Sequence, residues 1–576
     1  MTAVPPLGPA QRASAWDELA AGDFEVLVVG GGVTGAGVAL DAVTRGLRTA
    51  LVEARDFASG TSSRSSKLFH GGLRYLEQFD FGLVREALHE RDLSVNRIAP
   101  HLVKPVPFLY PLTHRLWERP YVTAGLALYD GLARLGSLAE PMPAQKHLTR
   151  TGARQLFPAL RPDALVGAVR YYDAQADDAR HTLTVVRTAA HYGATVLNSA
   201  EVVGFTKAGG RVVGARVRDV ETGDVVDVRS EVVVNATGVW TDDLQTLLGG
   251  RGRFHVRASK GVHIVVPRDR INGEVGLILR TEKSVLFVIP WGAHWIIGTT
   301  DTEWTLDKAH PAASRADIDY VLDHVNAVLN VPLTHDDITG VYAGLRPLLA
   351  GEDEETSQLS REHAVARPMP GVIAVAGGKY TTYRPMAADA VDAVAEDVTR
   401  RVPPSVTENV PLVGAEGYAA MVNQLELLSA RWGIPRFRAE HLLNRFGSLT
   451  PDVLALADAD PDLLEPVPGA EGYLMVELVW AAGHEAALHL DDLLARRTRI
   501  SIETAHRGVD SAGPVASAVA GVLGWDDERI ANEVASYTAR VDAERRSQTA
   551  ADDQEADAAR VAAPDTRAVA VGRALG

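Results

Sequence analysis

The chain has 576 residues, of which 46% are hydrophobic and 23% are charged, a balance typical of globular proteins with several domains. Its 58 Lys and Arg against 74 Asp and Glu give a formal net charge of −16, which argues against a nucleic-acid-binding protein. The chain has no cysteine, so disulfides, cysteine-based metal sites and thiol nucleophiles are excluded, and redox chemistry requires a bound cofactor.

The N-terminal part gives few signals. Residues 1–23 are rich in Pro, Ala and Ser and predict a flexible leader without the pattern of a secretory signal. No run of 18 apolar residues is present, so the sequence predicts no membrane-spanning helix. The segment Tyr121–Leu135 follows a basic cluster and fits two interpretations equally, a helix on a membrane surface and a buried helix at a domain edge.

A strand, a glycine-rich turn, a helix and a second strand follow one another from Phe24 to Glu53. In the turn, Gly30 permits the tight bend, Gly32 lets the backbone approach a pyrophosphate, and Gly35 allows close packing of helix on strand. Glu53 is placed to accept hydrogen bonds from ribose hydroxyls, which disfavours a 2′-phosphate. The pattern predicts a dinucleotide-binding βαβ unit and leaves NAD and FAD both open.

Further strands are predicted in the middle of the chain, at Glu231–Asn235, His263–Pro267, Val285–Pro290, Trp295–Gly298 and Val372–Ala376. The section from about 250 to 335 is rich in strands and interrupts a nucleotide-binding pattern that resumes after it. From about residue 405 the pattern is helical, and residues after 546 have no core pattern, which predicts a disordered tail.

One motif in the helical part resembles a zinc-protease signature. It contains His484, Glu485 and His489, but the two His are five residues apart. That spacing is roughly 140° around a helix, so the two rings do not share a metal, and no metal site is predicted.

The polar run from Gly60 to Glu77, GTSSRSSKLFHGGLRYLE, has too many hydroxyls, cations and glycines for a core segment. It resembles the signature of FAD-dependent (aerobic-type, quinone-linked) glycerol-3-phosphate dehydrogenases. Six later blocks are similar to the same family and occur in its order: NATGVW (235–240), SKGVHIVVP (259–267), FVIPW (287–291), IIGTTD (296–301), AGLRPL (343–348) and GGKYTTYR (377–384). The resemblance covers roughly residues 24–400 and, more loosely, the helical part.

This resemblance implies an α/β fold, a discontinuous Rossmann-like FAD-binding domain with an interposed antiparallel-sheet substrate domain, plus an α-helical C-terminal domain. The predicted boundaries are a flexible leader at 1–23, FAD-binding parts at 24–110, 181–250 and 336–404 (the last with part of the substrate site), a mixed cap with a candidate membrane-facing segment at 111–180, a substrate-binding sheet at 251–335, a helical domain at 405–545 and a disordered tail at 546–576.

The resemblance also implies the site residues. The expected FAD-binding residues are Gly30, Gly32, Gly35, Glu53, Thr61, Ser62, Ser66, Lys67, Ala236, Gly238, Gly378, Thr381 and Thr382. The expected substrate-binding residues are Arg74, Tyr75, Arg346, Arg361, Lys379 and Thr381. Lys67, Lys260 and Lys379 all fall within the resembling blocks, as expected where a phosphate dianion binds.

The catalytic candidates are His70, His263, Lys379 and Arg346. Oxidation of a C2 hydroxyl requires a base with a pKa near the operating pH, and imidazole suits that role. His70 is the first candidate for the base and His263 the second.

The implied reaction is oxidation of sn-glycerol 3-phosphate to dihydroxyacetone phosphate, with a membrane quinone as acceptor. The expected location is cytoplasmic and peripheral, on the inner face of the cytoplasmic membrane, and a homodimer is left open. One alternative is an oxidase that reduces O2 to H2O2. Another is a nucleotide-binding regulatory protein without turnover, which the full set of substrate cations and bases disfavours.

Overall fold

An eight-stranded sheet forms the nucleotide-binding part of the computed structural model, which describes residues 4–72, 81–113, 142–249, 255–281, 285–350 and 363–567. Its five central strands are parallel and lie in the order Val372–Gly377, Val225–Asn235, Asp23–Val29, Thr49–Val52 and Thr195–Leu197. Three antiparallel strands complete the sheet: His363–Met369, Ala200–Ala208 and Arg211–Asp219. The strand Asp23–Val29 is buried at six consecutive positions, as expected for a parallel strand with both faces covered.

Helices cover both faces of this sheet. On one face Val33–Thr44 packs against Asp178–His191 and Tyr383–Ala395. On the other face lie Pro9–Ala21 and Thr241–Leu247. This arrangement confirms the predicted Rossmann-like architecture.

The prediction of a flexible leader is wrong for Pro9–Ala21, which is helical. Ala15 and Leu19 of this helix are buried against the parallel sheet. Arg12 forms an ion pair with Asp219 at 2.7 Å. The buried stripe of this helix consists of Ala15 and Leu19, four residues apart, and so short an apolar pattern did not reveal the helix in the sequence.

A second, ten-stranded sheet is mainly antiparallel. Its strands are Thr302–Trp304, His255–Pro267, His294–Gly298, Val285–Trp291, Gly276–Arg280, Lys104–Leu112, Gly167–Gln175 and Leu68–Phe69 in spatial order, with Gly340–Ala350 paired to the second and Lys146–Thr149 paired to the seventh. Helices Arg150–Leu156 and Arg315–Asn326 pack on one face of it. The sheet therefore draws Lys104–Leu112 and Gly340–Ala350 from segments that the sequence assigned wholly or largely to the FAD-binding parts.

The C-terminal part is helical, as predicted. Its helices are Tyr418–Asn423, Leu425–Trp432, Arg436–Phe446, Thr450–Leu454, Met475–His484, Leu490–Asp492, Ile500–Glu503, Val509–Leu523, Asp527–Ser547 and Asp553–Val561, with a small hairpin at Pro466–Val467 and Ala470–Leu474. Helix Phe81–Leu93 contacts the nucleotide-binding part through the ion pair of Glu90 with Arg384 of the helix Tyr383–Ala395. Within the ranges described above, no helix is long and apolar enough to cross a bilayer. The segment Tyr121–Leu135 lies outside the described residues.

The prediction of a disordered tail is wrong for residues 546–567, the part of the tail that the structure describes. Asp553–Val561 is a helix, and Asp553 forms an ion pair with the buried Lys260 at 2.5 Å. Arg567 forms a second buried ion pair, with Asp492 at 2.6 Å. Charged contacts, rather than an apolar stripe, hold this segment, and a hydrophobic pattern search does not detect them.

Candidate active site

A cleft of about 330 Å³ lies at the carboxyl ends of the strands Asp23–Val29, Val225–Asn235 and Val372–Gly377. The carboxyl ends of parallel strands are where doubly wound sheets bind ligands. The opposite wall comes from the second sheet, through His255–Pro267 and Gly340–Ala350. The site is therefore formed between the two sheets.

The glycine turn at one end of the cleft has the geometry that the sequence predicts. Gly30 has φ +111°, and a Cβ there would lie 2.6 Å from the carbonyl oxygen of Ala236. A Cβ on Gly35 would lie 1.9 Å from the carbonyl oxygen of Gly30, so this glycine allows the helix to pack on the turn. Gly32 lines the cleft, and its nearest neighbour is the hydroxyl of Ser62 at 3.2 Å from an added Cβ.

Glu53 and Ser62 organise the groups around this turn. The Glu53 carboxylate accepts hydrogen bonds from the backbone N–H of Gly31 at 2.6 Å and of Arg55 at 2.8 Å. Burial raises the pKa of Glu53, and these two hydrogen bonds oppose that shift. The Ser62 hydroxyl accepts a hydrogen bond from Val33 N–H, the first residue of the helix. The helix N-terminus thus faces the cleft with its positive dipole end.

Most of the predicted cofactor residues line the cleft. They are Gly30, Gly32, Glu53, Thr61, Ser62, Ser66, Ala236, Gly238 and Gly378. Gly238 has φ +58°, and an added Cβ would meet no atom within 4 Å.

Three predicted residues have their side chains elsewhere. The Lys67 side chain is fully buried beneath the loop, with its ammonium 2.8 Å from Asp178, so it is not among the groups that line the cleft. Thr381 and Thr382 are also buried, and both bond to nearby backbone. Lys260 is likewise buried, 2.6 Å from Asp317. The sequence could not show that these cations were already paired with distant carboxylates.

His263 is held rigidly in the cleft wall. Its Nε2 lies 2.9 Å from the Ser66 hydroxyl, and its ring stacks on that of Tyr342 with centroids 4.7 Å apart and planes at 9°. Burial, with the charges of Arg346 and Lys67 as smaller contributions, lowers the pKa of His263 well below 6.5. This imidazole is therefore neutral at physiological pH.

His70 also lines the cleft and is only half-buried. Its backbone is fixed by Thr381, whose hydroxyl accepts from His70 N–H at 3.2 Å and lies 3.3 Å from His70 O. The predicted substrate residue Thr381 thus positions one of the two catalytic candidates.

Arg346 and Lys379 supply positive charge to the cleft. The Arg346 guanidinium donates to the Thr299 hydroxyl and the Thr300 carbonyl, each at 3.2 Å, and lies 3.3 Å from the Asp301 carboxylate. These contacts fix its orientation. The other three predicted substrate residues, Arg74, Tyr75 and Arg361, lie outside the described residues.

The structure adds lining residues that the sequence analysis did not select: Arg64, Glu201, Trp240, Gly261, Gly344 and Tyr380. Five of them, all but Glu201, lie inside the resembling blocks, so the sequence analysis found the segments but did not select these residues within them. Glu201 lies on the antiparallel strand Ala200–Ala208, and nothing in its local sequence indicated a site.

Two residues of the zinc-protease-like motif, Glu485 and His489, are engaged in ion pairs, and His484 stacks on Trp480 with ring centroids 3.8 Å apart. Glu485 binds Arg180 and Arg187, and His489 lies between Glu221 at 3.1 Å and Glu533 at 2.8 Å. These contacts join the C-terminal domain to the parallel sheet and its helices.

Comparison with known proteins identifies the family. Residues 25–388 match the FAD dependent oxidoreductase family, and residues 405–530 match the C-terminal domain of alpha-glycerophosphate oxidase. The chain is 64% identical over 562 residues to glycerol-3-phosphate dehydrogenase 2 of Mycobacterium tuberculosis (strain ATCC 25618 / H37Rv), which covers 98% of this chain and 95% of the relative. The chain belongs to the glycerol-3-phosphate dehydrogenase family.

Other members of the glycerol-3-phosphate dehydrogenase family are more distant. The human mitochondrial enzyme is 36% identical over 528 residues, which are 88% of this chain and 71% of that protein. The crystal structure of the Bacillus halodurans glycerol-3-phosphate dehydrogenase, complexed with FAD, superposes with a TM-score of 0.77 at 29% identity, over 93% of this chain and 98% of that one. An L-alpha-glycerophosphate oxidase from Mycoplasma pneumoniae shares the fold at 17% identity, with a TM-score of 0.53, over 68% of this chain and 99% of that one.

FAD is the cofactor of this family, and the cleft fits it. Gly32 and the N-terminus of the helix beginning at Val33 would hold the pyrophosphate, and Glu53 would bind the ribose. Gly238 leaves its backbone uncovered on the cleft surface.

Proposed function

We propose that this protein oxidises sn-glycerol 3-phosphate to dihydroxyacetone phosphate and passes the electrons to a membrane quinone. One observation carries the proposal: a single cleft joins the dinucleotide-binding turn to two imidazoles and to the guanidinium of Arg346. The names of the relatives, glycerol-3-phosphate dehydrogenases, supply the substrate.

FAD, when bound, supplies the acceptor for the hydride from C2. The residues of the chain then have two tasks. A base takes the proton of the C2 hydroxyl, so that loss of that proton and of the hydride leaves a C2 ketone. The phosphate is held by cations and by one hydroxyl donor. We assign the cationic role to Arg346, Lys379, Arg74 and Arg361 and the hydroxyl to Tyr75, with Arg74, Tyr75 and Arg361 assigned from the sequence alone.

The two imidazoles of the cleft, those of His70 and His263, differ in burial and in how firmly they are held, and these differences bear on which of them acts as the base. His263 is locked between Ser66 and Tyr342, and its lowered pKa makes it a weak base. His70 is half-buried in the same cleft and is positioned through Thr381. We therefore propose His70 as the base and His263 as a neutral polar group that orients the substrate.

The test uses FAD-loaded protein in an anaerobic stopped-flow instrument. Glycerol 3-phosphate should bleach the flavin absorbance, and glycerol should not, because it lacks the phosphate. The reduced protein is then mixed with a short-chain ubiquinone or with O2. Faster reoxidation by the quinone is expected, and an unbleached flavin would reject the substrate.

An oxidase is the second candidate. It is favoured by the match of residues 405–530 to the C-terminal domain of alpha-glycerophosphate oxidase. Stoichiometric H2O2 release with slow quinone reduction would select it.

A quinone acceptor dissolves in the bilayer, so we also propose peripheral attachment to the inner face of the cytoplasmic membrane. Flotation with vesicles of bacterial lipid tests this proposal. Protein that stays at the bottom of the gradient at low and at physiological salt would reject it.

A further inference from the structure

A second cavity, of about 140 Å³, lies between the loop Thr61–Lys67 and the C-terminal segment, which contains the helices Asp527–Ser547 and Asp553–Val561. Its wall includes Arg64 from the loop, His310 from the second-sheet region, and Arg540, Glu544 and Arg560 from the last two helices. The last three residues follow residue 530, where the match to the C-terminal family domain ends. This part of the wall therefore lies outside the family features used above.

Arginines outnumber carboxylates among the side chains that line this cavity, and Asp177, Asp178 and Asp492, just outside the lining, pair with some of these arginines. Among the residues that the structure describes, seven Arg and five Asp or Glu side chains line it. Each of the five carboxylates is already in an ion pair; they are Asp56, Asp491, Glu533, Glu544 and Asp565. Five of the arginines are held in close ion pairs as well: Arg55, Arg496, Arg499, Arg540 and Arg567.

Three of the seven arginines, Arg64, Arg540 and Arg560, keep hydrogen-bond donors for which the described residues provide no acceptor, and Arg540 does so although it also pairs with Asp491 and Glu544. Arg64 donates to the carbonyl oxygen of Ala309 at 3.2 Å, and no carboxylate of a described residue pairs with it. Arg540 has a buried Nη2 for which the described residues provide no acceptor. Arg560 lies 3.6 Å from Glu544, beyond hydrogen-bond distance, and its Nη2 lies 3.3 Å from His310 Nδ1.

These like charges act on one another. Burial, together with the nearby charges of Arg560 and Arg496, lowers the pKa of Arg64 to about 10. Burial likewise lowers the pKa of Arg560, with Arg540 as a further cause and Glu544 opposing it. Buried cations that repel one another are stabilised by a bound counter-ion.

We propose that this cavity binds one small tetrahedral oxyanion, such as inorganic phosphate, through Arg64, Arg540 and Arg560. Guanidinium groups are well suited to such anions because each offers several N–H donors in a planar fork. The volume suits an anion of this size together with a few waters, since a water takes about 30 Å³ in the liquid. The bound anion would connect the loop Thr61–Lys67 to the C-terminal helix Asp553–Val561.

The test counts phosphate sites on the FAD-loaded protein by equilibrium dialysis against radiolabelled inorganic phosphate at constant ionic strength. Arg560→Gln should remove one site per chain or weaken it at least ten-fold. Arg546→Gln, an exposed arginine on the preceding helix, is the matched control and should bind like the parent. Arg346→Ala should affect the cleft and leave this site intact, which separates this proposal from the proposed function.

A direct measurement covers the case in which Arg560→Gln does not fold. Crystals of the parent protein with FAD are soaked in selenate, a tetrahedral dianion with an anomalous signal. A selenate peak between Arg64 and Arg560 supports the site, provided that dialysis of the parent protein counts a phosphate site that can be assigned to this position. No peak there, or a phosphate count that Arg560→Gln leaves unchanged, overturns it.

Discussion

The ammonium of Lys67 lies 2.8 Å from the carboxylate of Asp178, and both side chains are buried. This pair anchors the loop that carries the family signature, since Asp178 also accepts hydrogen bonds from Ser65 N–H and the Ser65 hydroxyl. The two partners are not equivalent. Asp178 has a second cation in Arg499, whereas the Lys67 ammonium has, among the described residues, one further acceptor, the carbonyl oxygen of Ser63.

We therefore expect Asp178→Asn to cost about 3–5 kcal/mol in the free energy of unfolding, because it leaves a buried ammonium without a counter-charge. Lys67→Met should cost less, about 1–2 kcal/mol, because Arg499 still neutralises Asp178 and the apolar stem is replaced. Urea denaturation of both variants measures the difference. Equal costs, or the reverse order, would contradict the assignment.

The glycine turn gives a prediction for cofactor binding. Gly32→Val should abolish bound flavin, because the side chain would extend into the cleft beside Ser62 and occupy the expected pyrophosphate position. The visible flavin absorbance of the purified protein measures this loss. Gly472→Val is the matched control, because a Cβ there meets no atom within 4 Å, and it should retain flavin.

Arg346 gives a prediction for substrate binding. Arg346→Ala should raise KM for glycerol 3-phosphate by about 10- to 100-fold, the worth of one or two charge-assisted hydrogen bonds. Asp301→Asn should act in the same direction but more weakly, since Asp301 orients Arg346 without carrying the charge. Arg257→Ala removes an exposed arginine that pairs with Glu303 on the same sheet, and it should leave KM unchanged. An unchanged KM for Arg346→Ala would move the phosphate elsewhere.

The two imidazoles give a prediction for pH dependence. His70→Asn should slow flavin bleaching by about 10²–10⁴-fold and flatten the acidic limb of the rate profile. The sign follows from the base: the rate rises with pH as the imidazole loses its proton. His263→Asn should leave that limb in place, because the pKa of His263 lies well below 6.5 and the group is already neutral across this range.

Stopped-flow bleaching between about pH 5.5 and 8 compares the two variants, a range that spans the ordinary pKa of imidazole. Loss of the limb in His263→Asn alone would transfer the role of base to His263. A normal limb and rate in both variants would exclude both imidazoles.

The sequence by itself determined the fold class, the family and the cofactor turn. The cofactor turn is a local feature, because Gly30, Gly32 and Gly35 act through the backbone of one turn and of the helix that follows it. Their spacing in the sequence therefore reveals their roles. The strands of the parallel sheet were equally legible, because burial on both faces requires continuous apolar runs such as 24–29.

Only the tertiary structure decided which polar groups face the cleft. Lys67 and Lys260 are residues of the type expected at a phosphate site. Each instead forms an ion pair with a carboxylate more than 50 residues away in the chain, Lys67 with Asp178 and Lys260 with Asp317. For a similar reason, the sequence did not predict that the leader and the C-terminal segment form the helices Pro9–Ala21 and Asp553–Val561. The leader helix is held by the burial of Ala15 and Leu19 and by the ion pair of Arg12 with Asp219, and the C-terminal segment by ion pairs such as that of Asp553 with Lys260. The sequence does not show which distant residue a charged side chain will pair with.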